Sequence, residues 1–165
     1  LFSPVSGAHF NPIVTLAFVL RGDMSIKHAC TFIMAQVFGA IAGVLLTHAM
    51  FDQSLFQLSQ TPRTGAPLWI SEIFASFGLL LIIFGGLALN SKAIASMVAL
   101  YITGAYWFTS STSFANPAVS IARALSDTFA GIYPAHVPMF ILCQLIGMAL
   151  ALWAVRALFN TDTSG

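Results

Sequence analysis

The stretch from Ser113 to Arg123 reads Ser-Phe-Ala-Asn-Pro-Ala-Val-Ser-Ile-Ala-Arg and carries the clearest helix signal in the chain. Asparagine is a favoured N-cap, and proline suits the first helical position because its missing N–H would be unpaired there anyway. Asn116-Pro117 therefore predicts the start of a helix over residues 116–126. Such a helix is too short to cross about 30 Å of hydrocarbon.

A second copy of this pattern lies near the start of the sequence, where residues 7–17 read Gly-Ala-His-Phe-Asn-Pro-Ile-Val-Thr-Leu-Ala. Aligning Asn11 with Asn116 also aligns the two prolines and places Val14 on Val119. One Asn-Pro pair is weak evidence, because the dipeptide occurs in ordinary turns. Two copies with matching flanks in a very apolar chain indicate an internal repeat.

The composition predicts a membrane protein independently of any motif. The 165 residues are 58% hydrophobic and only 7% charged, whereas soluble domains carry about 25% charged residues. A net charge of +1 gives no basic patch, so a nucleic-acid partner is not expected. The two cysteines have neither disulfide-framework nor zinc-ligand spacing, so no metal site is expected.

Apolar segments separated by polar, Pro- and Gly-containing stretches predict the order of elements. Residues 1–10 are predicted to be a loop, and residues 11–20 and 116–126 to be half-helices. Full spans are predicted over residues 25–49, 68–89, 93–108 and 136–158, the third of them somewhat short. The whole of 1–165 is predicted to be one transmembrane domain, divided into the parts 1–49, 50–67 (a connecting loop), 68–158 and 159–165 (a polar tail).

The paired motif resembles the two Asn-Pro-Ala half-helices of the major intrinsic proteins, the aquaporins and aquaglyceroporins. The resemblance implies an all-α membrane fold built as an inverted repeat, with two re-entrant half-helices meeting at the midplane of the membrane. In that fold residues 68–158 form a complete second repeat and residues 1–49 end the first. Four full spans are then present, and the first two helices of the family are missing from this sequence.

The resemblance also implies a passive channel rather than an enzyme, with no cofactor, in contact with membrane lipid and assembled as a homotetramer. A cell membrane, expected to be a bacterial inner membrane, is the implied location. Placement of basic residues favours one orientation, because cytoplasmic loops carry an excess of Lys and Arg. Four basic residues fall on the predicted cytoplasmic side and two on the other, namely Arg21, Lys27, Lys92 and Arg156 against Arg63 and Arg123.

The half-helix starts supply the predicted pore. Two helix N-termini that face each other place partial positive charge at the midplane, a known barrier to cations in aquaporin-type pores. Asn11 and Asn116 would each offer an amide donor to a passing solute, although plain helix capping is the alternative. The motif residues Pro12, Ile13, Pro117 and Ala118 accompany them, and carbonyl acceptors are predicted at Gly7, Ala8, His9, Phe10, Thr112, Phe114 and Ala115.

Three polar residues inside predicted spans are expected to support this site. In the family, a Glu at the place of Glu72 braces the re-entrant loop through backbone N–H groups, and a proton relay is the alternative. Gln36 and Gln144 occupy matching places in the two repeats, where they either support the loops or link helices. His9 resembles a pore-mouth histidine of the family, whereas His48 is predicted to be interfacial.

The predicted selectivity filter departs from both common subclasses of the family. The arginine that usually follows Asn-Pro-Ala is Val119 here, and the loop position three before Asn116 is Ser113. The position twelve before Asn116 is Gly104 rather than the histidine of strict water channels. The fourth filter residue lies on a missing helix. The filter is therefore expected to be wider, less basic and less polar, as in a bacterial branch of the family with a non-Arg filter.

Arg123 lies one helical turn beyond Val119, so the two share a helix face. It either charges an outer vestibule or stabilises the helix end and reaches the membrane interface. Two other functions stay open at this point. A gated secondary transporter could also use half-helices and an intramembrane Glu72, and a fragment lacking part of its pore wall would not conduct.

Overall fold

The computed structural model describes residues 2–159 of the chain, and its secondary structure is entirely helical within them. Residues 160–165 of the predicted tail lie outside the described residues. The helices are α1 (Ser3–Ser6), α2 (Pro12–Arg21), α3 (Ile26–Met50), α4 (Ala66–Ala88), α5 (Ile94–Phe108), α6 (Pro117–Arg123) and α7 (Val137–Phe159), with a 3-10 turn at Pro134–His136.

Three helices, α3, α4 and α7 with its preceding 3-10 turn, are long and apolar enough to cross a membrane. Helix α5 has 15 residues, which corresponds to a length of about 22 Å. It is therefore shorter than the hydrocarbon thickness, in line with the short span that the sequence predicts. The two Asn-Pro helices have ten and seven residues, and both are half-spans by length.

The segment 1–10, predicted to be a loop, contains the one-turn helix α1. A proline stands in its first turn, and Gly7 ends it in a left-handed conformation with φ of 70°. The Gly7 N–H donates to the Ser3 carbonyl at 2.9 Å. Proline at a helix start and glycine at its end are the usual local signals for such a turn, so the loop prediction is wrong for Ser3–Ser6.

Helix α6 ends at Arg123 rather than at residue 126, where the sequence places its end. The next three N–H groups bond to carbonyls three residues back: Ala124 to Ile121, Leu125 to Ala122 and Ser126 to Arg123. Bonds of this spacing form the tighter turn that commonly finishes an α-helix. The chain therefore keeps turning through residue 126, but no longer as an α-helix.

Within the described residues the chain forms two compact units, each described by itself. The first comprises the residues up to Thr64 together with Asn116–Ile141, and the second comprises Gly65–Ala115 together with the chain from Leu142 onward. In the first unit, α3 packs against both α2 and α6. Ile13, Thr15 and Ala17 of α2 are fully buried.

In the second unit, small residues bring the helices close together. A Cβ at Gly147 of α7 would collide with the Ile73 carbonyl of α4 and would lie 2.8 Å from the Ser76 Cβ. Small residues at such crossings let helix backbones approach, and this packing is common between membrane helices. The Tyr101 hydroxyl of α5 donates to the Ala75 carbonyl of α4 at 3.1 Å. This hydrogen bond links α5 to α4.

Helix α3 leaves most of its apolar surface uncovered within the described chain. Only Ala29 and His48 are buried along its 25 residues, whereas Met34, Phe38 and Leu46 are exposed. Large apolar side chains on a helix of this length need lipid or protein around them rather than water. This exposed surface agrees with a multi-pass membrane protein.

Candidate pore site at the paired Asn-Pro motifs

The two Asn-Pro motifs, 105 positions apart, meet in the first unit. The Asn116 Nδ2 amide donates to the Phe10 carbonyl at 2.9 Å, although the two residues are 106 positions apart. Phe10 immediately precedes Asn11, so this hydrogen bond joins the start of α6 to the start of α2. The structure thus brings together the two motifs that the sequence pairs only by alignment.

Both asparagines also cap their helices. The Asn11 Oδ1 accepts from the Ile13 N–H at 3.1 Å, and the Asn116 Oδ1 accepts from the N–H groups of Ala118 at 3.0 Å and Val119 at 3.4 Å. Capping occupies the amide oxygen, whereas a solute would be met by the amide N–H₂. Because the N–H₂ carries two donor hydrogens, capping and the bond to Phe10 leave Asn116 a second N–H donor.

A cavity of about 540 Å³ lies at this junction and is here called the motif cavity. Among the predicted site residues, the following line it: His9, Phe10, Gln36, Asn116, Ala118 and Val119. The side chains of Pro12, Ile13 and Pro117 are buried instead. The first and third of these begin the helices, and Ile13 belongs to the core of the unit.

The loop before α2 is held by an amide from α3. Gly7 and Ala8 both have left-handed backbone, with φ of 70° and 56°. The Gln36 Nε2 donates to the His9 carbonyl at 2.6 Å and to the Thr15 Oγ1 at 2.9 Å. Gln36 therefore connects the loop to the helix that follows it. The carbonyls of His9 and Phe10, both predicted acceptors for a solute, already accept protein donors.

The His9 ring packs on aromatic neighbours rather than on charged groups. Its centroid lies 4.3 Å from that of Phe18 and 6.0 Å from that of Phe32. Burial lowers the pKa of His9 from its ordinary value of 6.5, so the ring is neutral at pH 7. The first loop therefore places an uncharged imidazole at the motif cavity.

In the second unit, the loop before α6 converges on one carboxylate. The Glu72 side chain, fully buried in α4, accepts from the N–H groups of Phe114 and Ala115, each at 2.9 Å. The Ser111 hydroxyl donates to it at 2.6 Å, and the Gln144 Nε2 donates at 2.8 Å. Four donors thus surround the carboxylate, which satisfies a buried charge that would otherwise be costly.

This second loop needs such support because its backbone is unusual. Thr112, Ser113 and Ala115 have φ of 59°, 47° and 45°, a region that residues other than glycine rarely occupy. Each such residue costs on the order of 1–2 kcal/mol and persists only where its surroundings hold it. The hydrogen bonds to Glu72 are those surroundings.

The three predicted filter residues fall in different units. Val119 lines the motif cavity of the first unit, whereas Gly104 and Ser113 belong to the second. The Ser113 hydroxyl is buried and has no hydrogen-bond partner among the described residues. A Cβ at Gly104 would meet only the Phe108 ring, at 3.6 Å, so the site leaves room for a larger side chain.

Sequence analysis missed a buried arginine in the connecting loop. The Arg63 side chain, 8% exposed, donates from Nε to the Gly131 carbonyl at 2.7 Å and from Nη2 to the Phe129 carbonyl at 2.9 Å. Its backbone N–H donates to His136 Nδ1 at 3.1 Å. The sequence assigned Arg63 only to a membrane side, because no motif or spacing marks a contact that spans about 70 residues.

The same loop covers the end of α6. The Ser59 N–H donates to the Ala124 carbonyl at 2.9 Å, and the Gln60 N–H donates to Asp127 Oδ1 at 2.8 Å. The Thr61 carbonyl accepts from the Tyr133 N–H at 2.7 Å. Residues 59–63 thus run along the segment that follows the second half-helix. They supply hydrogen-bond donors to the carboxyl-terminal end of that helix, where carbonyls lack partners within the helix.

A second cavity in the first unit contains two further residues from the sequence analysis. His48, predicted to be interfacial, is 2% exposed and lines this cavity together with Arg123. Arg123 therefore does not line the motif cavity with Val119, although the two residues share a helix face. The reason is helix length: Val119 lies in the first turn of α6 and Arg123 is its last residue.

No group of three or more potential metal ligands from His, Cys, Asp and Glu occurs among residues 2–159. The polar groups at the motif cavity are amides, carbonyls, the Ser6 hydroxyl and the His9 imidazole. Such groups can exchange hydrogen bonds with an uncharged solute.

Comparison with known proteins adds sequence relatives to this geometry. The family described as "Major intrinsic protein" matches residues 1–109. "Aquaglyceroporin AqpS" of Rhizobium meliloti (strain 1021) is 47% identical over 160 residues, covering 97% of this chain and 69% of that protein. "Aquaporin NIP1-1" of Zea mays is 28% identical, covering 96% of this chain and 57% of that protein. An "Uncharacterized aquaporin-like protein" of Haemophilus influenzae is 29% identical, covering 96% and 85%.

Proposed function

The chain belongs to the major intrinsic protein family, and from this premise we propose that it forms a passive transmembrane channel for water and small uncharged solutes. The solutes in view are glycerol-sized polyols and neutral metalloid hydroxides. The chain spans 69% and 57% of the first two relatives named above, so the proposal concerns the complete gene product that carries this sequence. No reaction and no cofactor form part of it.

The hydrogen bond between Asn116 and the Phe10 carbonyl carries this proposal. It places two helix N-termini at one cavity, where their partial positive charges disfavour cations. A neutral solute is not repelled and can accept a hydrogen bond from the second N–H of Asn116. The name aquaglyceroporin, printed for the 47% identical relative, supports solutes of glycerol size.

The proposed filter comprises Gly104, Ser113 and Val119. None of these side chains carries a charge, and Val119 stands where the family usually has arginine. A filter without that guanidinium is wider and admits solutes larger than water. The orphaned hydroxyl of Ser113 is a hydrogen-bonding group that such a solute can use.

Glu72, Gln36 and Gln144 are proposed to support the pore rather than to move protons. Four protein donors already converge on the Glu72 carboxylate. Two of them are backbone N–H groups, which do not exchange protons with a carboxylate during transport. This arrangement supports a channel over the alternative of a gated secondary transporter, which needs a carboxylate that cycles between protonated and ionised forms.

Proteoliposome swelling tests the proposal directly. Vesicles carrying the complete gene product should swell faster than empty vesicles in gradients of water and of glycerol. The rate should rise linearly with the gradient, because a passive channel does not saturate as a carrier does. Saturable uptake coupled to a proton or sodium gradient would establish the transporter alternative instead.

The filter assignment is tested by Val119→Arg. An arginine at this position should narrow the opening and lower glycerol flux more than water flux, whereas Val119→Met serves as an uncharged control with a long side chain. Equal losses of glycerol and water flux in the Arg variant would mean that Val119 does not select by size.

The location and assembly belong to the same proposal. The multi-pass helices place the protein in a membrane, and the bacterial source of the 47% identical relative supports a bacterial inner membrane. A homotetramer is the proposed assembly, with each chain holding its own pore. Native mass spectrometry of the purified protein should give four copies per particle.

A further inference from the structure

The second cavity of the first unit shares no lining residue with the motif cavity. It has a volume of about 520 Å³ and lies between the last turns of α3 and the segment that follows α6. We call it the His48 cavity, after the buried imidazole in its wall. We propose that it binds the headgroup of an anionic phospholipid of the phosphatidylglycerol type, with Arg123 holding the phosphate.

The charge of the cavity favours an oxyanion. Arg123 is the one lining residue with a permanent charge, and no Asp or Glu lines the cavity within the described chain. Asp127, which follows a lining residue in the sequence, is directed to the connecting loop, where it accepts from the Gln60 N–H. A guanidinium fork matches the geometry of two phosphate oxygens, and its charge strengthens both hydrogen bonds.

A chain of hydrogen bonds orients the hydroxyl groups of the cavity. His48 Nδ1 lies 3.0 Å from the Leu55 carbonyl, which can only accept, so Nδ1 carries the proton. With the proton on Nδ1, Nε2 accepts from the Ser126 hydroxyl at 3.0 Å. The Thr128 hydroxyl lies 3.2 Å from that of Ser126 and accepts from the Ala130 N–H. Because the Ser126 proton goes to His48, the Thr128 hydroxyl donates to Ser126 Oγ and keeps one lone pair that can accept from a hydroxyl of a ligand.

The cavity lies at the level of the lipid headgroups rather than at the depth of the hydrocarbon core, so a lipid headgroup can reach it. Helix α3 has 25 residues and a length of about 37 Å, so its last turn extends to the headgroup level of a bilayer. Phe51 and Phe129 line the cavity and are 70% and 93% exposed. Exposed phenylalanine rings beside the cavity can pack against the glycerol backbone and upper chains of a lipid, as apolar residues do at a membrane interface.

The polar groups also distinguish between headgroups. Hydroxyl groups of Thr47, Ser126 and Thr128 and the amide of Gln53 line the cavity, and they can exchange hydrogen bonds with the glycerol hydroxyls of phosphatidylglycerol. An ammonium group, as in phosphatidylcholine or phosphatidylethanolamine, would instead need a carboxylate partner. The cavity therefore suits a phosphate that is followed by hydroxyl groups.

Lipid binding can be measured without any solute flux, so this proposal stands or falls separately from the channel function. The complete gene product is delipidated in detergent, titrated with phosphatidylglycerol or phosphatidylcholine, and observed by native mass spectrometry. Phosphatidylglycerol should bind about tenfold more tightly than phosphatidylcholine, because its phosphate is not neutralised by an ammonium group and its glycerol hydroxyls find partners in the cavity. Equal affinities for the two lipids would overturn the proposal.

Arg123→Gln should abolish the preference, whereas Arg156→Gln is the matched control. Arg156 also lies in the last turn of a spanning helix but is exposed and outside the cavity. Equal losses in the two variants would show general attraction to anionic lipid and would overturn the site. The ion permeability of Arg123→Gln should be unchanged. An altered ion profile with unchanged lipid affinity would assign Arg123 to the channel entrance instead.

Two milder variants keep the test decisive if Arg123→Gln does not fold. Arg123→Lys retains the charge but loses the fork, and Thr128→Val retains the fork but loses one acceptor for a hydroxyl of the lipid headgroup. Each should weaken phosphatidylglycerol binding by about threefold, as expected for one neutral hydrogen bond. Unchanged affinity in both would overturn the proposal. Competition by glycerol phosphate in solution, at concentrations as low as those of the lipid, would show that the site takes dissolved oxyanions and not a lipid.

Discussion

The two half-helices begin alike and end differently. Each starts with an asparagine in extended backbone whose side chain caps the first turn, followed by proline. Helix α2 then ends at Gly22 in a left-handed conformation with φ of 84°. The N–H groups of Gly22 and Asp23 bond back to the carbonyls of Val19 and Phe18, which is the hydrogen-bond pattern of a glycine C-cap.

Helix α6 has no glycine cap and passes instead into the tighter turn that runs through residue 126. Ala124 at its end keeps a right-handed φ of −65°, and the terminal carbonyls are reached from elsewhere in the chain. The Ser59 N–H bonds to the Ala124 carbonyl, and the Ile132 N–H bonds to the Arg123 carbonyl. The first half-helix is therefore closed by a local glycine cap, whereas the end of the second also accepts hydrogen bonds from Ser59 in the connecting loop and from Ile132.

The loops that precede the two half-helices also differ, in the strength of the hydrogen bonds that hold them. One neutral amide, Gln36, holds the first loop with two hydrogen bonds, and that loop uses Gly7 for one of its left-handed positions. The buried carboxylate of Glu72 holds the second loop, which contains three left-handed residues and no glycine. More backbone strain is thus matched by stronger hydrogen bonds, since bonds to a charged acceptor are worth about twice those to a neutral one.

Among the variants that test this difference between the loops, removal of the Glu72 carboxylate should lower the stability of the protein most. Glu72→Ala leaves the N–H groups of Phe114 and Ala115 buried without an acceptor, which should destabilise the protein by about 3–5 kcal/mol. The yield of monodisperse protein and its thermal unfolding in detergent measure the loss. A stable, monodisperse Glu72→Ala protein would mean that the second loop holds its own conformation.

Removal of the arginine clamp should have the next largest effect. Arg63→Met keeps a long apolar stem but loses the donors to the Phe129 and Gly131 carbonyls, which should cost about 2–4 kcal/mol. Arg21→Met is the matched control, because the Arg21 pair with Asp23 is exposed and its loss should change stability by less than about 0.5 kcal/mol. Equal unfolding temperatures for the two variants would show that the connecting loop does not stabilise the end of α6.

Removal of the side chain that holds the first loop should lower the stability of the protein less than removal of the one that holds the second. Gln36→Ala removes the two hydrogen bonds to His9 and Thr15, and the expected loss is about 1–2 kcal/mol because both partners are neutral. Thermal unfolding beside Glu72→Ala gives the direct comparison. A loss in Gln36→Ala as large as that in Glu72→Ala would show that the charge of the brace is unimportant.

The smallest effect is expected at the helix ends. Gly22→Ala forces an alanine into left-handed backbone at a place where its Cβ meets no atom within 4 Å, so only the backbone cost of about 1 kcal/mol applies. Ala124→Gly is the counterpart at the end of α6. Because Ala124 is right-handed, glycine gives no benefit there and should destabilise slightly. A stabilising Ala124→Gly would mean that α6 also favours a glycine ending.

The sequence by itself determined the elements whose signals are local. Asn-Pro at two places set both helix starts, and the long apolar runs set the spans with errors of one or two residues. The family prediction, drawn from the duplicated motif, is confirmed by the family match over residues 1–109 and by the 47% identical relative. These features are readable because helix capping, proline geometry and hydropathy act over a few residues.

Only the tertiary structure decided which residues at the two motifs meet. It joined Asn116 to the Phe10 carbonyl, buried Arg63 against Gly131, and placed Arg123 with His48 rather than with Val119. It also shortened α6 to Arg123. The physical reason is that the partners in each contact lie about 70 or more residues apart, and a hydrogen bond between them leaves no periodic or compositional trace. Such contacts depend on how helices and loops pack, which no local preference encodes.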